Sequence, residues 1–267
     1  MATRQYCCFK GRGEISLVNY AARLAATAGF LPVGNASAFA IAVAETTENV
    51  QDFTSPAGGV ACAFREIQTV TANLTLRCHS PANWALATSG AGADAEVATA
   101  AVVNEEHVLW PGTVEPLAHL IDDSVAPIVT SLDGETTYVR GTDYDVTPAG
   151  SIVQIATGAI PTPTVTSGKG QPNVRVSYTR RDQTLVQLYA RPAEAVALHF
   201  DGYNVAETPI SATHFDLFRV VFGPAATVTV IGDNLAQLEL TGTVERDPSK
   251  ALGTLANPFS QYGTLKI

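Results

Sequence analysis

The residues of this chain whose types permit chemistry are few, and their spacing does not assemble them. VTSGKGQP (Val165–Pro172) sets a lysine after a glycine, as a phosphate-binding loop does. The G-x-x-x-x-G-K-[S/T] spacing is absent, and a strand pattern follows where a helix N-terminus would have to hold the phosphate. GRG at Gly11–Gly13 is weaker still. Asp143 and Asp145 in GTDYDV resemble the opening of a calcium loop. Pro148, however, takes the place of the required glycine, and Gln154 that of the closing bidentate glutamate, so the stretch reads as a turn. Glu105-Glu106 reads as a solvated acidic turn, although paired catalytic carboxylates can also meet only in space. His79, His107, His119, His199 and His214 show no metal-ligand spacing, and no G-x-S-x-G elbow occurs. Adjacent Cys7-Cys8, with Cys62 and Cys78, lacks the C-x-x-C spacing of zinc and redox sites, so these read as reduced, partly buried thiols. The reading is a non-enzyme with no catalytic residues, no metal and no cofactor.

The elements explain what the chain invests in instead. Charged residues are 15% of its 267 residues, against the usual quarter. Thirty residues are Thr, and Val is frequent, which favours strands. Low charge in a β-rich chain points to surface covered by copies or partners. A net charge of −9, with only 16 scattered Lys and Arg, excludes tight duplex DNA binding, which needs clustered cations to displace counterions. MATRQYCCFKGRGEISL lacks the apolar core of a secretory signal, and no run approaches a membrane span. Maturation in a reducing cytoplasm is expected.

ASAFAIAVAETTENV alternates, with Phe39, Ile41 and Val43 on one face and Ala38, Ala40, Ala42 and Ala44 on the other. REIQTVTANLTLRC alternates more cleanly: Val70, Ala72, Leu74, Leu76 and Cys78 oppose Thr69, Thr71, Asn73, Thr75 and Arg77. DFTSPAGGVACAF joins these two strands and reads as a flexible connection, without a helix behind it to hold a nucleotide. Near the end, EAVALHFDGYN, HFDLFRVVFGP, ATVTVIGD and LAQLELTGTVERD read as further strands. The last sets Leu238, Leu240 and Val244 against Gln237, Glu239, Thr241 and Thr243. SPANWALATSG reads as one short helix capped by Ser80 with Pro81 first, and AGADAEVATAAVV is weakly helical by alanine content. Residues 122–181 have another texture, short strands between dense turns, including the Asp133-Gly134 hairpin signal and a long polar loop PTPTVTSGKGQP. The expected organisation is a discontinuous β-domain (1–121 and 182–267) interrupted by a small β-unit (122–181). The fold class is all-β, a two-sheet sandwich or partial barrel with a short flanking helix.

In order and pattern, FKGRGEISL, FLPVGNASAFAIAVAETTENVQDFTSPAGG and IQTVTANLTLRCHSPANWALATSG resemble the N-terminal half of tail tube (major tail) proteins of long-tailed bacteriophages. FDGYN and FDLFRVVFGPAATVTVIGDNLAQLELTGTVERD resemble their C-terminal half. The resemblance covers most of 9–120 and 194–247. It implies a virion protein whose copies form stacked, hexameric rings, contacting itself and other tail proteins at the tube ends. DNA would pass through the lumen without tight binding, and no membrane is bound. Thr69, Thr71, Asn73, Thr75, Gln237, Glu239, Thr241 and Thr243 become the candidate lumen face. Asp52, Phe53, Pro56, Gly58, Gly59 and Phe64 become the candidate inter-subunit loop. The 122–181 insert departs from the simplest members and is expected outside the tube, where it leaves the channel open. The alternatives are the tube protein of a contractile secretion machine, which shares the architecture, and a carbohydrate-binding β-sandwich. The second would want exposed aromatics and a secretion signal, whereas aromatics are 7% here, with Trp84 and Trp110 isolated.

Overall fold

A computed structural model describes residues 8–54, 56–91, 95–122, 124–206, 208–253 and 259–267. The chain starts with β1 (Gly11–Asn19), α1 (Tyr20–Leu24), β2 (Leu31–Pro32), β3 (Ala36–Gln51), β4 (Val60–Leu76) and α2 (Pro81–Ala87). Ten short strands follow: β5 (Glu96–Val97), β6 (Ala100–His107), β7 (Val114–Glu115), β8 (Ile128–Ser131), β9 (Tyr144–Val146), β10 (Ile152–Gln154), β11 (Val165–Thr166), β12 (Lys169–Gly170), β13 (Val174–Arg180) and β14 (Gln183–Thr184). Longer strands then return as β15 (Ala195–Asn204), β16 (Ser211–Phe222), β17 (Leu238–Val244) and β18 (Gly263–Lys266). The all-β expectation holds, with two short helices among the described residues.

The chain divides into two compact units, Met1–Ala93 with Val186–Ile267, and Asp94–Leu185. In the first, one antiparallel sheet runs β2-β1-β15-β16-β17-β4-β3, and β18 pairs with β16 beside β17. The sheet curls into a partial barrel. Phe39 of β3 packs edge-on against Phe215 of β16 at 6.0 Å, although two strands lie between them. The segment after β2 ties both ends together: Val33 N–H donates to the Ile15 carbonyl (2.9 Å), and the Asn35 carbonyl accepts from Arg77 N–H (2.8 Å). Leu74, Leu76, Leu198, Phe222, Leu238 and Leu240 fill the interior, and none exceeds 2% exposure. The apolar/polar alternation of β4 and β17 produces this, since successive side chains leave opposite faces of a strand. Helix α2 has the expected cap: the Ser80 hydroxyl accepts from Asn83 N–H, Pro81 opens the helix, and Ala87 is buried. Helix α1, unexpected from sequence, starts where the Asn19 side chain accepts from Ala22 N–H at 3.1 Å. Gly13 of the GRG stretch faces Gly202 in register, and a Cβ there would lie 2.2 Å from the Asp201 carbonyl oxygen. Close strand packing accounts for that glycine.

The second unit holds the sheets β6-β13-β8 and β7-β10-β9, the pairs β11-β12 and β14-β5, and its own core. Leu109, Val129, Ile152, Val174 and Val176 are fully buried there. Its start at 94 corrects the expected boundary of 122. Strand β6 pairs along the central strand β13, from Val174↔His107 to Arg180↔Ala100, so it belongs to this unit. The same pairing, with β5 before it, overturns the weak helical reading of AGADAEVATAAVV over its residues 96–103; its residues 92–94 lie outside the described residues. PTPTVTSGKGQP contains the β11–β12 hairpin, turned through Ser167 and Gly168 at φ 54° and 75°, where a plain loop was expected. ATVTVIGD forms no strand; one bridge, Val228↔Leu238, is its ladder contact.

Candidate functional site

Strands β3 and β4 are 16 and 17 residues long and pair from Ala36↔Leu76 to Gln51↔Val60. Their inner ends reach the barrel core through Phe39, which faces Leu74, and through Ala72 and Val70 of β4, whose partners Ile41 and Val43 are themselves exposed. Past these pairs the hairpin leaves the core, and every described residue from Ala44 to Thr69 is exposed apart from half-buried Asp52. This projecting arm carries Val50, Phe53, Val60, Phe64 and Ile67, exposed by between 49% and 92%. Register shifts at Ala44/Glu45 and Val50/Gln51 increase its local twist.

The connection at the arm's tip is shorter than the sequence indicates. Asp52, Phe53, Pro56, Gly58 and Gly59 lie in it, while Phe64 lies on β4 opposite Glu48. Val60–Phe64 is therefore strand, because backbone pairing continues through the small residues. The Asp52 carboxylate accepts from the Thr54 N–H (2.8 Å) and hydroxyl (2.6 Å), an Asx turn, and Asp52 N–H donates to the Gly59 carbonyl at 2.8 Å. Gly58 and Gly59 have φ of 65° and 124°, so the Gly-Gly pair is required by the turn.

The eight candidate lumen residues come together on the outer side of the sheet. In register, Thr75 faces Glu239, Asn73 faces Thr241, and Thr71 faces Thr243. The Thr241 hydroxyl donates to Asn73 Oδ1 at 3.0 Å, and the Thr71 hydroxyl to the Ala42 carbonyl at 3.3 Å. Gln237 precedes β17 and accepts from the Ser37 hydroxyl at 3.4 Å. Thr69, Asn73, Glu239, Thr241 and Thr243 are exposed, and Thr71, Thr75 and Gln237 half-buried. Ala38, Ala40, Ala42 and Ala44 of β3 oppose Thr75, Asn73, Thr71 and Thr69 and extend this face with methyl groups. The result is a smooth polar wall whose one formal charge among those eight residues is Glu239.

The other chemically capable groups are engaged internally. Asp143 accepts from Val139 N–H (2.8 Å) and Ala159 N–H (2.7 Å), which hold its carboxyl below the usual aspartate range. Asp145 pairs with Arg140 at 3.2 Å. Glu105 and Glu106 lie on strand β6, where a solvated turn was expected. Glu106 pairs with Arg175 at 3.1 Å. Glu105 accepts from the Tyr178 hydroxyl (2.6 Å) and the Ala118 N–H (3.1 Å) and lies 2.9 Å from His107 Nε2. Burial pushes its pKa up, but these hydrogen bonds and His107 outweigh it, so the carboxyl titrates low. Burial, with the same carboxylate, raises the Tyr178 phenol. On the main sheet, His199 Nδ1 contacts Asp216 at 2.6 Å and His214 Nε2 contacts Asp201 at 3.2 Å across β15 and β16. His79 contacts the Ala236 carbonyl at 3.0 Å, and His119 the Gln183 amide at 2.9 Å. Cys8 and Cys62 are free and exposed, and Cys78 is free and half-buried, which corrects the partly buried reading for the first two; Cys7 lies outside the described residues. Among the described residues no group of three or more His, Cys, Asp or Glu is arranged to hold a metal ion, and no helix is long and apolar enough to cross a membrane.

The model of the family described as "Protein of unknown function UCP028589" matches residues 8–266, and the chain belongs to that family. No curated protein matches it.

Proposed function

We propose that this chain is a structural protein that assembles with copies of itself into a tube, in the manner of the phage tail tube proteins its sequence resembles, and that the tube's lumen conducts DNA. The observation that carries the reading is the β3–β4 arm. An isolated two-stranded hairpin is at best marginally stable in water, yet this one projects past its own core with Val50, Phe53, Val60, Phe64 and Ile67 exposed. Five large apolar side chains left open on one hairpin belong against a partner. With a β-rich chain of low charge, that partner is another copy.

The polar face supports the lumen half of the reading. A single small barrel of about eight strands is filled by its own side chains, so a channel for duplex DNA needs strands pooled from several chains. Thr and Asn present a wetted surface without cations to trap phosphates, and Glu239, repeated around an axis, repels the backbone weakly and evenly. Negative-stain microscopy of the purified protein across a concentration series tests the reading. Rings or tubes are the expected result. A protein that stays monomeric at high concentration removes the proposal.

A further inference from the structure

We infer a second contact between copies, in which the loop between β16 and β17 of one copy inserts apolar side chains into a cavity beside α2 of the next; the inference rests on the self-assembly reading above. The loop presents Val230, Ile231 and Leu235 at 81%, 93% and 78% exposure. Such exposure on three large aliphatic side chains in one short loop is not required by its fold. Both roots are fixed: Ala225 N–H donates to the Ala87 carbonyl (2.7 Å), Val228 bridges to Leu238, and the Ala236 carbonyl meets His79 at 3.0 Å. The loop therefore presents its apex from an anchored base, which lowers the entropy lost on docking.

The receiving feature is a cavity of about 390 Å3 whose walls include Leu17, Leu31, Val33, Leu86, Val196 and Phe222. It stands at the small end of the roughly 300–1,000 Å3 typical of ligand pockets. No buried side-chain polar atom among these walls lacks a partner, so they suit aliphatic side chains better than a polar cofactor. Leu31 at its mouth is 73% exposed. Charge completes the match. Arg191 and Glu194 both line the cavity in a loose 3.8 Å contact, but Glu194 also accepts from the Asn19 amide at 2.7 Å, which leaves Arg191 the freer charge. Exposed Asp233 sits inside the apolar loop with no ion pair among the described residues. Asp233 of the inserting loop thus finds Arg191 at the socket. Because the loop's apex is exposed, it does not occupy the cavity of its own copy. Knob and socket are different patches, so the contact is head-to-tail and propagates to a closed ring or an open filament.

The test compares assembly of the full chain and five variants by sedimentation velocity and microscopy. Ile231→Asp removes the knob at a fully exposed position, and Ala85→Trp fills the socket from α2. Each is expected to raise the concentration needed for assembly at least tenfold, with an unchanged melting temperature. Arg191→Glu and Asp233→Lys should each weaken assembly, and the double variant should restore it. If the parent assembles while Ile231→Asp or Ala85→Trp assembles at the same concentration, or if the charge exchange rescues nothing, this contact is refuted and the tube reading stands. A parent that never assembles refutes the tube reading itself.

Discussion

The inner and outer halves of the β3–β4 hairpin share two strands and continuous backbone pairing, yet their surroundings are opposite. Inside, Leu74 and Leu76 are 1% and 0% exposed, against Phe64 at 62% and Ile67 at 50% further out. Pairing alone does not distinguish the halves; what differs is whether a second layer covers one face. The inner half obtains its stability from the barrel core, since apolar burial is the dominant favourable term in folding. The outer half obtains nothing comparable within its own chain. The arm is therefore a folded element awaiting its second layer, and the contrast supplies its own tests.

Removing the outer half should have the largest effect on assembly and almost none on folding. Replacing residues 46–66 by Asn-Gly closes the hairpin at the Glu45↔Ile67 pair with a favoured two-residue turn. The expected product keeps the melting temperature of the parent in calorimetry and forms no tubes. Tubes of normal appearance from this variant would mean the arm is not an assembly element. Next in size is a matched pair of truncations. Leu74→Ala should destabilise by about 2–5 kcal/mol, the range for a buried Leu, while Phe64→Ala should stay within about 0.5 kcal/mol in the isolated chain. Urea unfolding of both decides it. Equal losses would place Phe64 in a packed environment and erase the contrast.

The sequence made the inner half legible and the outer half only partly so, for a physical reason. In the inner half of β4 and in β17 an apolar/polar alternation records one buried and one open face, so strands, core residues and the polar wall are all readable. In the arm no face is buried by the chain, alternation fades into ETTENVQ and VACAF, and the turn residues extend the apparent loop to Phe64. The loop holding ATVTVIGD shows the converse: β-branched alternation without a partner strand gives no strand, as Ile231 at 93% exposure records. The start of the second unit was hidden for a third reason. Ala-rich AGADAEVATAAVV has little periodicity, and only its long-range pairing with β13 assigns β6. This gives a sharp check by circular dichroism. Replacing 122–181 with a Gly/Ser linker strands β6 without β13 and should yield misfolded protein. Replacing 95–184 removes a whole unit and should leave the remainder folded. Equally folded products would show that β6 does not depend on β13.

The smallest effect on the fold, and the most specific to function, belongs to the outer face of the inner half. Glu239 is exposed on the strand whose neighbours Leu238 and Leu240 are buried at 0% and 1%. Reversing its charge reaches none of the core contacts, so Glu239→Lys should keep its melting temperature and its tubes, within the roughly ±0.5 kcal/mol expected of surface changes. If this face lines the lumen, the substitution converts a repeated negative charge into a repeated positive one around the channel. Each lysine can then pair with a phosphate and release a counterion, a contact that strengthens as salt falls. The expected outcome is genome delivery slowed in low salt and recovering in high salt, with a parent almost indifferent to salt. Measured in particles built from each protein, delivery that is normal in both and equally insensitive to salt would put this wall outside the channel. The inner half of the hairpin would then face solvent on one side and core on the other, as in any monomeric sheet.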